Sequence, residues 1–285
     1  MGGALTPFQC VVLQPEIDDL RRRLRATRWP EDGTVPGRVQ GLPLGEVREL
    51  CRYWADDYDW RAAERRLNAW PQVLVEVDEL SLHVLHARSP RTDALPLVLT
   101  NGWPGSVFEI LRVVGPLTDP EGHGAPGQPA FHGVCPSLPG YGFSGKPAAS
   151  GWGIERIAVA WIDLIGRLGY DRFGAFGTDC GPSITTVMAR SAIGEIVGIH
   201  LAPPLVAADP ESPTISPMRS RQHWRRWGTP SATRMVTADC SRPSCRRSVT
   251  RWSTLRLPCV PGVGEKYVSW SDGEGLSGLG RDDLF

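Results

Sequence analysis

Apolar residues in the opening part of the chain recur three and four positions apart. Ile17, Leu20 and Leu24 do so inside an otherwise charged stretch that stops at Trp29-Pro30, which predicts a helix ending before the proline. A second helix is predicted with Leu44, Val47, Leu50, Cys51, Trp54 and Tyr58 on one face, and a third from Arg61 to Ala69, stopped by Pro71. Amphipathic helices of this kind need a surface to pack on, so the segment is not expected to stand alone. The period then drops to two. Val73, Val75 and Val77 alternate, Asp78-Glu79 makes a turn, and Leu80, Leu82 and Val84 continue the alternation, which predicts a β-hairpin.

Beyond the hairpin, short apolar runs and helical stripes take turns. Leu95 to Thr100 is a continuous run of the kind buried on both faces, and Val107, Ile110, Leu111 and Val114 form a helical stripe. Phe131 to Cys135 predicts a strand, Ile154 to Leu168 a helix, Arg172 to Phe176 a strand, Pro182 to Arg190 a helix and Ile196 to Leu201 a strand. This alternation implies an α/β fold, a mostly parallel sheet covered by helices on both faces. From about Val206 to Gly262 the text changes. Arginines from Arg219 to Arg256 crowd the stretch, Asp209, Glu211 and Asp239 are its acids, and neither period survives.

Composition narrows the function classes. Thirty-one basic and 31 acidic residues balance to zero formal charge, which argues against a protein relying on general attraction to nucleic acid or anionic membrane. With 41% hydrophobic and 22% charged residues the chain reads as globular. It contains no apolar run approaching the roughly 18 residues of a membrane span, and no signal-like stretch after Met1, so a cytoplasmic protein is expected. The seven cysteines are scattered without a CxxC pair, pointing neither to a disulfide framework nor to zinc. His83 and His86 are three apart on a predicted strand and so face opposite sides, which disfavours a shared metal.

The chemistry concentrates at Gly177-Thr178-Asp179-Cys180-Gly181, between a predicted strand and a predicted helix. A nucleophile flanked by glycines at a strand-to-helix junction is an elbow, with the glycines expected to allow the sharp turn that exposes the central side chain. The Cys180 amide would be one oxyanion donor, and Asn101-Gly102-Trp103-Pro104, after an earlier strand, would supply another. A capping reading competes: Gly181 as N-cap, Pro182 at the first helical position, and Asp179 as a nearby acid favouring the dipole. If Asp179 is a nucleophile, a carboxylate suits attack on an sp3 carbon, giving an alkyl ester that water must then cleave.

These residues resemble the microsomal-type epoxide hydrolases, bacterial members included, of the α/β-hydrolase superfamily. The likeness is carried by Trp29-Pro30 after an arginine-rich helix, Tyr58-Asp59-Trp60-Arg61, Leu67-Asn68-Ala69, Asn101 to Ser106, Pro136 to Ser144 and the Asp179 elbow. It runs from about residue 6 to 205 and returns briefly at Glu265 to Asp272 and around Arg281 to Leu284. It implies an α/β-hydrolase fold with an N-terminal helical meander that wraps the core, and a C-terminal part that is incomplete. The regions so defined are 1–115 (meander, hairpin and oxyanion-loop strand), 116–205 (core with the elbow) and 206–285 (unpatterned, read as a possible reading-frame excursion over 206–262).

The resemblance further implies addition of water to a small hydrophobic epoxide to give a vicinal diol, with a role in xenobiotic detoxification. Asp179 would attack the epoxide carbon, lid tyrosines would activate the epoxide oxygen, and the amides of Trp103 and Cys180 would hold the ester's oxyanion. No metal or organic cofactor, no nucleic acid and no membrane span is implied. Departures from the family pattern are Asn101 in place of histidine, Cys180 in place of tryptophan, and a catalytic histidine and acid that would fall beyond Phe285. The substitutes at hand are few: His200, read as closing a strand near the elbow, His223 in unpatterned text, and Tyr267, the only tyrosine after the elbow. A catalytically incomplete protein, acting in a single turnover or as a binder, therefore stands beside the active enzyme, as does a dehalogenase-like hydrolase. The literal GxGxxG of Gly140 to Gly145 is set aside as a dinucleotide site, because Lys146-Pro147 follows where a helix should open.

Overall fold

The computed structural model describes residues 5–35 and 41–202. The expectations placed on 206–285, namely the reading-frame excursion, the arginine-rich stretch, His223 and Tyr267, lie outside the described residues. The chain divides into two compact units, whose described parts are residues 5–8 with 70–202 and residues 9–35 with 41–69.

The second of these units is helical. Helix α1 (Gln14–Arg25) buries Ile17, Leu20 and Leu24, and these meet Val47, Leu50, Cys51 and Ala55 of α2 (Leu44–Asp56) in one apolar cluster. Tyr58 is buried but is not on α2 as its spacing predicts. The amides of Asp57 and Tyr58 both turn back to the Tyr53 carbonyl, at 2.9 Å each, and end the helix. Asp59 then caps α3 (Trp60–Asn68) by accepting from the Ala62 amide at 2.9 Å. The end of α3 holds the chain's opening segment. The Asn68 side chain accepts from the Cys10 amide at 2.8 Å and donates to the Cys10 carbonyl at 2.7 Å. One turn earlier Glu64 accepts from the Val12 amide and Arg61 donates to the Val12 carbonyl, both at 2.8 Å. An unpaired stretch of backbone is thereby satisfied by side chains.

The other unit is built on a seven-stranded sheet, β1 (Leu5–Pro7), β2 (Gln72–Val77), β3 (Leu80–Ala87), β4 (Leu95–Thr100), β5 (Phe131–Pro136), β6 (Phe173–Thr178) and β7 (Ile196–Ala202), in the order β1-β2-β3-β5-β4-β6-β7. The first three strands pair antiparallel, β3 joins β5 antiparallel, and β5, β4, β6 and β7 run parallel. The hairpin turn places Asp78 at φ 51° and Glu79 at φ 61°, the two left-handed residues whose twist suits a two-residue hairpin. Strand β1 has no alternating pattern and all three of its residues are exposed, so nothing in its side chains announces it. It forms by backbone pairing of Leu5–Pro7 with Val73–Val75.

Helices α4 (Leu111–Thr118), α5 (Ile154–Arg167) and α6 (Gly181–Ser191) complete this unit. Trp161, Leu164 and Ile165 of α5 and Ile184 and Met188 of α6 close on Leu82, Val84, Val98, Val134 and Phe173 of the sheet. No α-helix opens after Gly140-Tyr141-Gly142-Phe143-Ser144-Gly145; the next begins at Ile154. The loop is tied instead to β3, with Gly145 N donating to Ser81 O at 2.7 Å and His83 N to Ser144 Oγ at 3.0 Å. His83 and His86 separate as expected: the first bonds Ser137 and Gln72, the second Tyr170. Among the described residues no group of histidine, cysteine and carboxylate side chains is arranged to hold a metal ion, and no helix is long and apolar enough to cross a membrane.

Candidate active site

Strand β4 has β5 on one side and β6 on the other, so the connections leaving it diverge. That switch point brings the segments following β4 and β6 together, which is where parallel sheets of this kind bind ligands. Trp161 Nε1 donates to Thr100 Oγ1 at 3.1 Å and pins the end of β4 to α5. Buried Asn101 donates from Nδ2 to the Gly102 carbonyl at 3.1 Å, and a cis peptide joins Trp103 to Pro104.

On the facing side β6 runs two residues further than its apolar pattern predicts, to Thr178, and α6 begins at Gly181. Only Asp179 and Cys180 lie between. Asp179 takes φ 57°, a left-handed conformation that costs a residue with a Cβ about 1–2 kcal/mol. The glycines serve this turn without left-handed backbone of their own. They make room. A Cβ on Gly177 would lie 2.6 Å from Pro182 N and run into Gly181, one on Gly181 would strike the Thr100 carbonyl, and one on Gly102 would collide with the Asp179 side chain.

The exposed Asp179 carboxyl is held by one of its oxygens. Oδ1 accepts from the Trp103 amide at 3.0 Å, from the Cys180 amide at 2.8 Å and from the Cys180 thiol at 2.9 Å. Two backbone donors from different loops therefore converge on one carboxylate oxygen. Cys180 is the N-cap of α6, Gly181 and Pro182 open the helix, and no side chain caps its amides. This differs from the capping alternative in one respect, that Cys180 and not Gly181 is the cap; the Asp179 carboxylate does lie at the start of α6, where it accepts from the Cys180 amide.

Glu109 is a site residue that the sequence does not single out. It ends a short 3-10 turn (Val107–Glu109) whose Phe108 amide donates to Ser106 Oγ, and its carboxyl lies against Gly105, where a Cβ would overlap it. Water reaches Glu109, yet surrounding protein and then the charge of Asp179 push its carboxyl up to about 7. An acid on an apolar helical stripe usually faces solvent, so no spacing signal marks it.

His200 does not close its strand: β7 continues to Ala202. Its ring is exposed and packs edge-on against Phe176, centroids 5.2 Å apart, and no hydrogen bond or ion pair among the described residues joins a histidine to Asp179. Asp179, Trp103 and Cys180 are thus brought together, while His200 is engaged elsewhere.

Residues 5–110 match the family described as epoxide hydrolase N terminus. A protein of Stigmatella aurantiaca designated an epoxide hydrolase is 40% identical, over 98% of this chain and 64% of its own length. Epoxide hydrolase 1 of Sus scrofa is 31% identical over 71% of this chain and 46% of itself. The solved structure of the Aspergillus niger epoxide hydrolase superposes with a TM-score of 0.77 at 24% identity, covering 99% of this chain and 73% of that one, and bears on the fold. The chain spans less than two thirds of the length of the two curated relatives. Residues 5–110 thus belong to the epoxide hydrolase N-terminus family, and the chain as a whole is similar to epoxide hydrolases in sequence and has an α/β-hydrolase fold.

Proposed function

We propose that the chain opens small hydrophobic epoxides with water to vicinal diols through an ester on Asp179. The observation that carries this reading is the Asp179 carboxylate at a left-handed elbow, with Oδ1 bound by the Trp103 and Cys180 amides. Held this way, Oδ2 is the oxygen that attacks the epoxide carbon; the ring C–O bond breaks as the new C–O bond forms, and its electron pair stays on the former ring oxygen, which takes a proton from water to become a hydroxyl. Oδ1 becomes the ester carbonyl. When water adds to Cγ the charge falls on Oδ1, where both amides already point, so little reorganisation is needed. The histidine, acid and tyrosines that the family likeness implies are not among the described residues.

A second reading has an observation of its own: no described histidine bonds to Asp179. It has Asp179 alkylated but not released. Both are tested by incubating the full chain with styrene oxide and following intact mass and diol together. Steady diol formation, abolished in Asp179→Asn, is expected for the hydrolase. A lasting mass increase of one epoxide per chain, absent in Asp179→Asn, marks the single-turnover protein. Neither diol nor adduct refutes both.

A further inference from the structure

We propose that the Cys180 thiol is a third donor to the ester oxyanion, a side-chain member of an otherwise backbone oxyanion hole; this rests on Asp179 acting as the nucleophile. Three observations place it there. The thiol sulfur lies 2.9 Å from Asp179 Oδ1, the oxygen that also receives the two amides. An S–H is a donor, and a carboxylate oxygen has only lone pairs to offer, so the proton of this contact belongs to sulfur. Cys180 is also fixed at both ends: its own amide donates to the same oxygen and it is the N-cap residue from which α6 starts. The backbone therefore fixes the Cys180 Cα beside the point where charge develops, and the side chain turns its sulfur onto Oδ1.

The consequence differs between the two chemical steps. In the free carboxylate, every donor on Oδ1 withdraws electron density from Asp179, so the thiol slightly slows attack on the epoxide. In hydrolysis, water oxygen bonds to Cγ and the carbonyl electron pair moves to Oδ1, where the thiol gains strength as a donor to full negative charge. Collapse restores the carbonyl and breaks the Cγ–Oδ2 bond. The departing diol oxygen takes one proton of the water, and the regenerated carboxyl loses the other to solvent. Cys180 thus favours release of the ester over its formation.

The test uses the full chain, styrene oxide, and the variants Cys180→Ala and Cys180→Ser. Rapid quench and intact mass separate formation of the adduct from its loss. Cys180→Ala is expected to slow adduct loss by about tenfold, less than removal of an amide donor, while adduct formation is unchanged or faster. Cys180→Ser restores a donor of similar reach and is expected to recover most of the rate. A second readout needs no turnover: the pH profile of Cys180 labelling by iodoacetamide, read by peptide mass, should move to lower pH in Asp179→Asn, because a neighbouring carboxylate disfavours the thiolate. A labelling profile indifferent to Asp179→Asn overturns the contact, and equal adduct loss in the alanine, serine and parent proteins overturns the catalytic role. Absence of any adduct or diol in the parent refutes the nucleophile itself and the thiol's catalytic role with it; a labelling shift in that case locates the failure in Asp179, not in the contact.

Discussion

At the scale of single residues, Asp179 and Glu109 illustrate two ways in which an acid comes to matter. Asp179 is legible because its neighbours Gly177 and Gly181 mark the elbow; the structure adds that the glycines act by absence of a Cβ, since Gly177 lies against Pro182 and Gly181 against Thr100. Glu109 is illegible because its carboxyl is raised by the protein that the fold packs around it and then by Asp179, seventy positions away in the chain. Its raised pKa makes a prediction with a definite sign. An unfolded glutamate ionises near 4.5, whereas in the fold Glu109 keeps its proton to about 7. The folded state thus binds more protons between those values, and its stability contribution is present at low pH and lost as pH rises through that window. Glu109→Gln has no such proton to lose. Its melting temperature is expected to match the parent's near pH 4.5 and to exceed it at pH 8; a constant difference across pH would contradict the assignment. Solvent exposure of Glu109 keeps the gain modest.

At the scale of elements, hydrophobic period located nearly every helix and strand of the described residues, and the misses share a cause. Strand β1 is chosen by backbone pairing with β2, and backbone groups are the same in every residue. Helix α2 stops before Tyr58 because two amides return to Tyr53, which apolar spacing does not encode. Asn68 gives an element-level prediction. It supplies both partners of the Cys10 peptide groups, so Asn68→Ala leaves a partly buried donor and acceptor unmet. The expected cost is about 1–3 kcal/mol. Thermal unfolding should register it, and faster amide exchange at Cys10 and its neighbours should locate it; unaltered exchange there would show that the clamp contributes nothing.

At the scale of the whole molecule, two histidines tie stability to acidity. Burial pushes both His83 and His86 down to about 4, the second also through the charges of Arg88 and His132. In the unfolded chain each takes a proton near 6.5. Stability from these groups is therefore present above 6.5 and is lost as pH falls toward 4, by up to about 3 kcal/mol for each. Melting temperatures measured from pH 7 to 4.5 should fall, and fall less in His86→Gln; an identical fall in parent and variant would remove His86 from the account. The sequence by itself determined the alternation of strands and helices, the family likeness and the elbow, because periodicity and a glycine-flanked acid are local properties of consecutive residues. Tertiary structure alone decided that Trp103 and Cys180 meet on one oxygen of Asp179, that Glu109 shares their surroundings, and that His200 turns to Phe176. Those contacts join β4, β6 and β7, and strand order in a sheet is set by long-range packing that no local pattern carries.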